Sequence, residues 1–236
     1  MADHKTLTLA ILLAGCSGKA DTSATDTGDG PLVPVTFGFP VADRGLISTV
    51  VGVDHDPTEH TGVLGGAICT SYDGRGFPHC YDGHDGSDFM LDGGFDTMDA
   101  GSVEIVAAAE GVVVETEDGH YDRCHADIDD PSGVSCDGHD GIANSVILEH
   151  ADGIRTLYWH MMQDSVAVSV GDEVSCGDVL GLIGSSGYSS APHLHFEVQF
   201  GDGSSVDPYA GEESQPESWW QEQGDPDDLP GDGCAG

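Results

Sequence analysis

Two histidines one residue apart, His193 and His195, stand at the start of an alternating apolar and polar run, Phe196 to Gln199. Side chains two apart on a strand share a face. His193 and His195 therefore project together, with Leu194 and Phe196 turned to the core. The small residues from Gly184 to Ser190 leave room above that face. Two adjacent imidazoles suit a metal ion, or one ligand plus one proton carrier. The chain has 12 histidines, so the pair takes its meaning from what accompanies it. His84 and Asp88 are four apart with Gly86 between them. Gly83 and Gly86 argue against a regular helix, so the spacing reads as a turn entering a strand that brings both side chains inward. Asp88 alone would be solvated surface, but an imidazole plus a carboxylate are ordinary zinc ligands, and one further histidine completes a three-ligand site with an open position. His160 ends the run Thr156 to His160, in which strand alternation puts Thr156, Tyr158 and His160 on one face.

The elements that must position these side chains read as strands. Val103 to Ala109 and Gly111 to Thr116 are strand-like runs broken at Glu110-Gly111. Ser145 to His150 and Ile154 to His160 form a hairpin about Ala151-Asp152-Gly153. Val174 to Ile183 is strand-like around Gly177-Asp178, and the His-Leu-His strand follows. Strong helical periodicity appears nowhere in the domain. The expectation is a mostly β fold, an antiparallel sheet with a groove lined by loops.

Charge bounds the partners. Forty-three acidic residues face six basic ones, a formal net charge of −37. Such a surface repels nucleic acid and anionic lipid headgroups. Residues 1–15 read as a signal peptide: Lys5, a short apolar run from Thr6 to Ala14, and Leu13-Ala14-Gly15-Cys16, which resembles a bacterial lipobox. Cleavage before Cys16 would leave a lipid anchor on its thiol, the chain's expected membrane contact. Residues 16–30 read as a flexible tether, 31–80 as an N-terminal extension packed on the domain, and 211–236 as a loosely ordered acidic tail. Trp219-Trp220 is the exception in that tail and reads as its docking point. Six cysteines besides Cys16, in an exported chain, read as disulfides. Cys69–Cys80 and Cys124–Cys136 are favoured because each closes a short loop rich in Gly, Asp and Pro; Cys176–Cys234 follows by elimination. Acidic runs at Asp92 to Asp99 and Asp127 to Asp130 lack the EF-hand spacing for calcium and read as solvated loops.

His84-Asp-Gly-Ser-Asp-Phe89, Tyr158-Trp-His160 and His193-Leu-His-Phe-Glu197, in this order, resemble the three signatures of the lysostaphin/LytM-type zinc metallopeptidases, the M23 family. The resemblance covers residues 81–210. It extends to Ile105 to Val113, Val170 to Val174, Gly177 to Gly181 and Val206-Asp-Pro208. It implies that His84, Asp88 and His195 hold Zn2+, and that His160 and His193 stand beside the open coordination position. His193 is then expected as general base, and His160 as the group that hydrogen-bonds the oxyanion or steadies the water. Tyr81 is a candidate for an assisting tyrosine. Three features depart from the family pattern: Ala191 before Pro192, the long insertion Glu117 to Gly141, and Cys176.

The resemblance implies an endopeptidase acting on peptide stems or cross-bridges of bacterial peptidoglycan, with wall peptides as partners. The lipobox adds an address, the bacterial cell envelope on its periplasmic or outer-membrane side. The alternative is a non-catalytic envelope module that binds wall peptides or activates another hydrolase. Retention of all five polar positions favours catalysis. The sequence leaves the oligomeric state open.

Overall fold

The computed structural model describes residues 35–61, 65–101, 103–130, 133–231 and 234. The signal peptide expected at 1–15, the lipid anchor expected at Cys16 and the tether expected at 16–30 lie outside the described residues.

The architecture is a mostly antiparallel β-sheet with almost no helix. Its strands, in chain order, are β1 (Ile47–Val51), β2 (Ser87–Leu91), β3 (Glu104–Val106), β4 (Gly111–Glu117), β5 (His125–Ala126), β6 (Val134–Ser135), β7 (Asn144–Glu149), β8 (Arg155–Met161), β9 (Glu173–Val174), β10 (Val179–Leu182), β11 (His193–Gln199) and β12 (Ser205–Val206). The one α-helical turn described, α1, is Phe95–Asp99. The main sheet runs β1-β2-β11-β8-β7-β4-β9, and β12 pairs with the end of β11. β3 and β10 form a separate ribbon, as do β5 and β6. The stretch from Val174 to Ile183 splits into β9 and β10 because Gly177 turns the chain at φ +91°.

β11 is central. It pairs antiparallel with β2 on one side and β8 on the other, placing Phe196 opposite both Ser87 and Tyr158. Its core face carries Leu194, Phe196 and Val198, all fully buried. Around Phe196 stand Phe37, Tyr158 and Trp220, with ring centroids at 5.9, 5.4 and 5.5 Å. These separations suit edge and offset aromatic contacts.

Both flanking segments contribute to this core. The extension supplies Phe37, Phe39, Val41 and the edge strand β1. Residues 211–231 are irregular, as their composition predicts, but they are held in place rather than loose. Trp220 is buried against Phe37, Phe89, Phe196 and Tyr209. The Phe37 amide donates to the Trp219 carbonyl at 2.7 Å, and the Gln221 amide to the Phe37 carbonyl at 2.9 Å. Two of the six cations hold the tail: Arg44 donates to the carbonyls of Leu229 and Pro230, and Arg75 pairs with Asp227. Disulfides join Cys69 to Cys80, Cys124 to Cys136 and Cys176 to Cys234, the last anchoring the tail beyond its tryptophans.

A buried polar chain threads the core behind Phe37. The His150 ring donates from Nδ1 to the Glu110 carbonyl at 2.6 Å, and its Nε2 lies 2.7 Å from the Thr156 hydroxyl. The Tyr158 hydroxyl accepts from the Ala108 amide at 2.9 Å. Burial lowers the His150 pKa, against the hydrogen bond and charge of Glu110, which raise it. The unfolded chain takes up a proton near pH 6.5 that the folded one resists. This contribution to stability is therefore complete above about pH 6.5 and is lost as the pH falls below it.

Two expectations follow. Trp220→Ala should destabilise the fold by about 3–5 kcal/mol, read as a lowered midpoint of denaturant unfolding. The melting temperature should fall below about pH 6.5, and fall less steeply in His150→Gln.

Candidate metal centre

The site lies on the face of β11 opposite the core. His193 and His195 project there, as alternation requires, and both are buried. Asp88, on β2, is paired opposite His195. His84 stands in the turn before β2; its carbonyl accepts from the Asp54 amide at 2.8 Å. Asp54 further ties this turn to the extension by accepting from the amides of Gly83 and Thr70.

His160 arrives by a different route from the one alternation predicts. Tyr158 lies opposite Phe196 on the core face, and Trp159 lies opposite His195 on the site face, their rings 5.7 Å apart. Strict alternation would send His160 into the core with Tyr158. Instead β8 carries an extra residue. Val146 pairs with Tyr158 but Asn144 pairs with Met161, so Trp159 and His160 together oppose Ser145. His160 takes φ +66°, a left-handed conformation uncommon outside glycine, and the β-bulge re-aims its ring. Thr156 and Tyr158 therefore do not share a face with His160. The His160 ring sits 4.6 Å from that of His193 and 5.9 Å from that of His195.

The structure thus brings together all five side chains singled out in the sequence. His84 Nε2, Asp88 Oδ1 and His195 Nδ1 form a triangle with edges of 3.1, 2.9 and 3.2 Å. Tetrahedral zinc with bonds of about 2.0–2.1 Å sets its ligand atoms about 3.3–3.4 Å apart, so the donor set and its spacing fit such an ion. These three are the group able to hold a metal among the described residues; neither acidic run forms one. His193 Nε2 lies 3.4 Å from the same Asp88 oxygen.

The ring orientations are fixed from outside. A backbone carbonyl can only accept, so the nitrogen facing it carries the proton. His84 Nδ1 faces the Gly52 carbonyl at 2.7 Å, His160 Nδ1 the Ser186 carbonyl at 2.6 Å and His193 Nδ1 the Ala191 carbonyl at 2.7 Å. Each of the three turns a bare Nε2 inward when neutral. Tyr81 stacks on His84 at 4.2 Å and its hydroxyl lies 3.3 Å from Asp88 Oδ2. None of these backbone acceptors is readable from side-chain types, and Gly52 belongs to a segment outside the motifs.

Electrostatics centre on Asp88. Burial raises its pKa, but the charges of His193 and His84 and hydrogen bonds from His193 and His195 hold it well below the carboxylate range. Burial, then the neighbouring His193 and His195, push His160 well below its ordinary value; Asp88 and the Ser186 carbonyl oppose this. His160 is thereby kept neutral. Burial, and next the charge of Asp88, raise Tyr81, which stays protonated. A groove of about 850 Å³ opens over the site; its lining includes Tyr81, Tyr188, His84, His160 and His195. It also includes the carboxylates of Asp82, Asp85, Glu115, Glu117 and Glu197, and no lysine or arginine among the described residues.

Residues 83–208, more than half of the chain, match the sequence profile of Peptidase family M23. The DD-carboxypeptidase/endopeptidase Mpg of Neisseria meningitidis is 41% identical over 68 residues, 29% of this chain and 15% of that protein. Glycyl-glycine endopeptidase ALE-1 of Staphylococcus capitis is 44% identical over 57 residues, 24% of this chain and 16% of that protein. The chain therefore covers only 15–16% of the length of these relatives. Among solved structures, the catalytic domain of the antimicrobial peptidase lysostaphin from Staphylococcus simulans is 30% identical with a TM-score of 0.37, over 54% of this chain and 77% of that chain.

Gly86 supplies a test of this geometry. A Cβ there would sit 2.7 Å from Cε1 and 2.8 Å from Nε2 of His195, and 2.8 Å from the Phe196 carbonyl oxygen. Gly86→Ala should displace the His195 ring and weaken metal binding by about tenfold or more, the scale of a misplaced ligand. Competition with a chromophoric chelator measures it.

Proposed function

We propose that this chain, which belongs to Peptidase family M23, is a zinc-dependent endopeptidase that hydrolyses peptide stems or cross-bridges of bacterial peptidoglycan. The observation that carries this reading is the triangle of His84, Asp88 and His195, with two further histidines beside it and a groove above. The similarity to peptidases of other bacterial species supports the substrate class. The proposed setting is the cell envelope, with the chain tethered through a lipid on Cys16.

His84 Nε2, Asp88 Oδ1 and His195 Nδ1 would hold a zinc ion, which when bound would lower the pKa of a water and act as a Lewis acid toward the scissile carbonyl. The chain's own groups do the rest. His193, with Nδ1–H committed to the Ala191 carbonyl, offers its Nε2 lone pair to a proton and is the general base. His160 is neutral and its one N–H is committed to Ser186. It can only accept at Nε2, so it steadies the attacking water rather than donating to an oxyanion. Tyr81 keeps its hydroxyl proton, directed at Asp88 Oδ2, and is one of the donors at the groove edge. The carboxylate-lined groove suits wall peptides that carry free amines.

Zinc-loaded protein incubated with purified peptidoglycan should release new amino termini, identified by mass spectrometry. His193→Ala should lower the rate by about 10²–10⁴-fold, and a chelator should abolish it. No release from protein carrying one zinc per chain would contradict the reading and favour a module that binds wall peptides without cutting them.

A further inference from the structure

Three of the four histidines at the site are oriented by backbone carbonyls; His195 is not. Its ring is reversed, with Nδ1 toward His84 and Asp88, and Nε2 pointing away toward Glu197 Oε2, 3.7 Å distant. Glu197 is itself buried, its side chain 7% exposed. Its other oxygen is tied down twice: Oε1 accepts from the Ser205 hydroxyl at 2.6 Å and from the Gln199 side-chain amide at 2.8 Å. One carboxylate oxygen is anchored and the other is left facing the imidazole.

Strand geometry produces this arrangement. His193, His195, Glu197 and Gln199 follow one another at a period of two along a single face of β11, and β12 brings Ser205 opposite Gln199. The short strand β12 thus has a use beyond pairing: it holds the carboxylate that faces the ligand. A neutral imidazole can offer Nδ1 to a metal only if its proton sits on Nε2. An acceptor beside Nε2 selects that tautomer, and a charged one also raises the basicity of the ring.

We propose that Glu197 is the positioning residue of the metal centre: it faces the Nε2 proton of His195 and so commits the Nδ1 lone pair to the ion shared with His84 and Asp88. The inference rests on the reading of those three residues as a metal centre and assigns Glu197 no contact with the reacting atoms. Because Glu197 also lines the groove, its competing use is as a substrate contact.

The test separates the two. The purified chain is stripped of metal and titrated with zinc against a chromophoric chelator, and the cobalt(II)-substituted form is examined by visible absorption. Glu197→Ala should weaken zinc binding by about 10–100-fold and shift the cobalt bands. Glu197→Gln, which keeps the shape without the charge, should fall between it and the wild type. Ser205→Ala, which removes one of the two anchors of Oε1, should show the smallest loss. The melting temperature of the metal-free proteins should stay within a degree or so of one another. Unchanged zinc affinity and cobalt bands in both Glu197 variants would overturn the proposal, and a raised KM for wall peptides in the same variants would make Glu197 a substrate contact. A metal-free melting temperature that falls along with the affinity would overturn it too, by making the residue structural. If wild-type protein binds zinc but cuts no wall peptide, the proposed activity fails while the ordering of zinc affinities still decides the case for Glu197.

Discussion

A buried carboxylate ringed by imidazoles is the constraint on which the site depends. Asp88 Oδ1 lies 2.9 Å from His195, 3.1 Å from His84 and 3.4 Å from His193. An isolated carboxylate removed from water to this extent is strongly unfavourable, and it persists only with compensating charge or hydrogen bonds. Protonated, the three rings supply both; as neutral rings with bare nitrogens turned to it they supply neither, and the compensating charge then falls to the cation that His84 and His195 would hold. Each ring must present a particular nitrogen in either case, and that requirement propagates outward to whatever fixes the other nitrogen. Gly52 on the extension, Ala191 on the loop before β11 and Glu197 further along β11 are therefore parts of one arrangement. The separation of these groups in sequence explains why so much of the sheet is committed to a site of a few side chains.

The sheet and its two flanking segments hold this arrangement from behind. Phe196 shares β11 with the histidines and points the opposite way, into Phe37, Tyr158 and Trp220. Movement of the aromatic cluster would be transmitted through one strand to His193 and His195. The segment 35–61 and the acidic tail thus support the site although neither contributes one of its five side chains. With 43 acidic residues in the chain, a free acidic tail would repel the domain. Arg44 and Arg75, the Cys176–Cys234 bond and the buried indole of Trp220 offset that repulsion locally.

Much of this was legible in the sequence. Strand alternation placed His193 and His195 on one face with Leu194 and Phe196 behind them, and the glycines around His84 indicated a turn rather than a helix. Loop-closing cysteine pairs were readable from spacing. Two features of the chain's path were not. Alternation put His160 beside Tyr158, and the structure moves it across the sheet by one inserted residue at a positive φ. A bulge is a property of the pairing between two strands, here β7 and β8, and neither strand's own sequence declares it. The tail was the other. Its composition is that of a solvated segment, and its order comes from contacts with Phe37 and Arg44, nearly two hundred residues away. The backbone carbonyls that set the histidine tautomers leave no signal in residue type.

The claim that Asp88 organises a metal centre with His84 and His195 is tested most directly by X-ray absorption at the zinc edge on the purified, zinc-loaded chain. The account predicts one zinc per chain in a four-coordinate shell of nitrogen and oxygen at about 2.0–2.1 Å. It also predicts outer-shell scattering from two imidazoles and no sulfur. A stoichiometry near zero, a sulfur shell, or scattering from three or four imidazoles would contradict it.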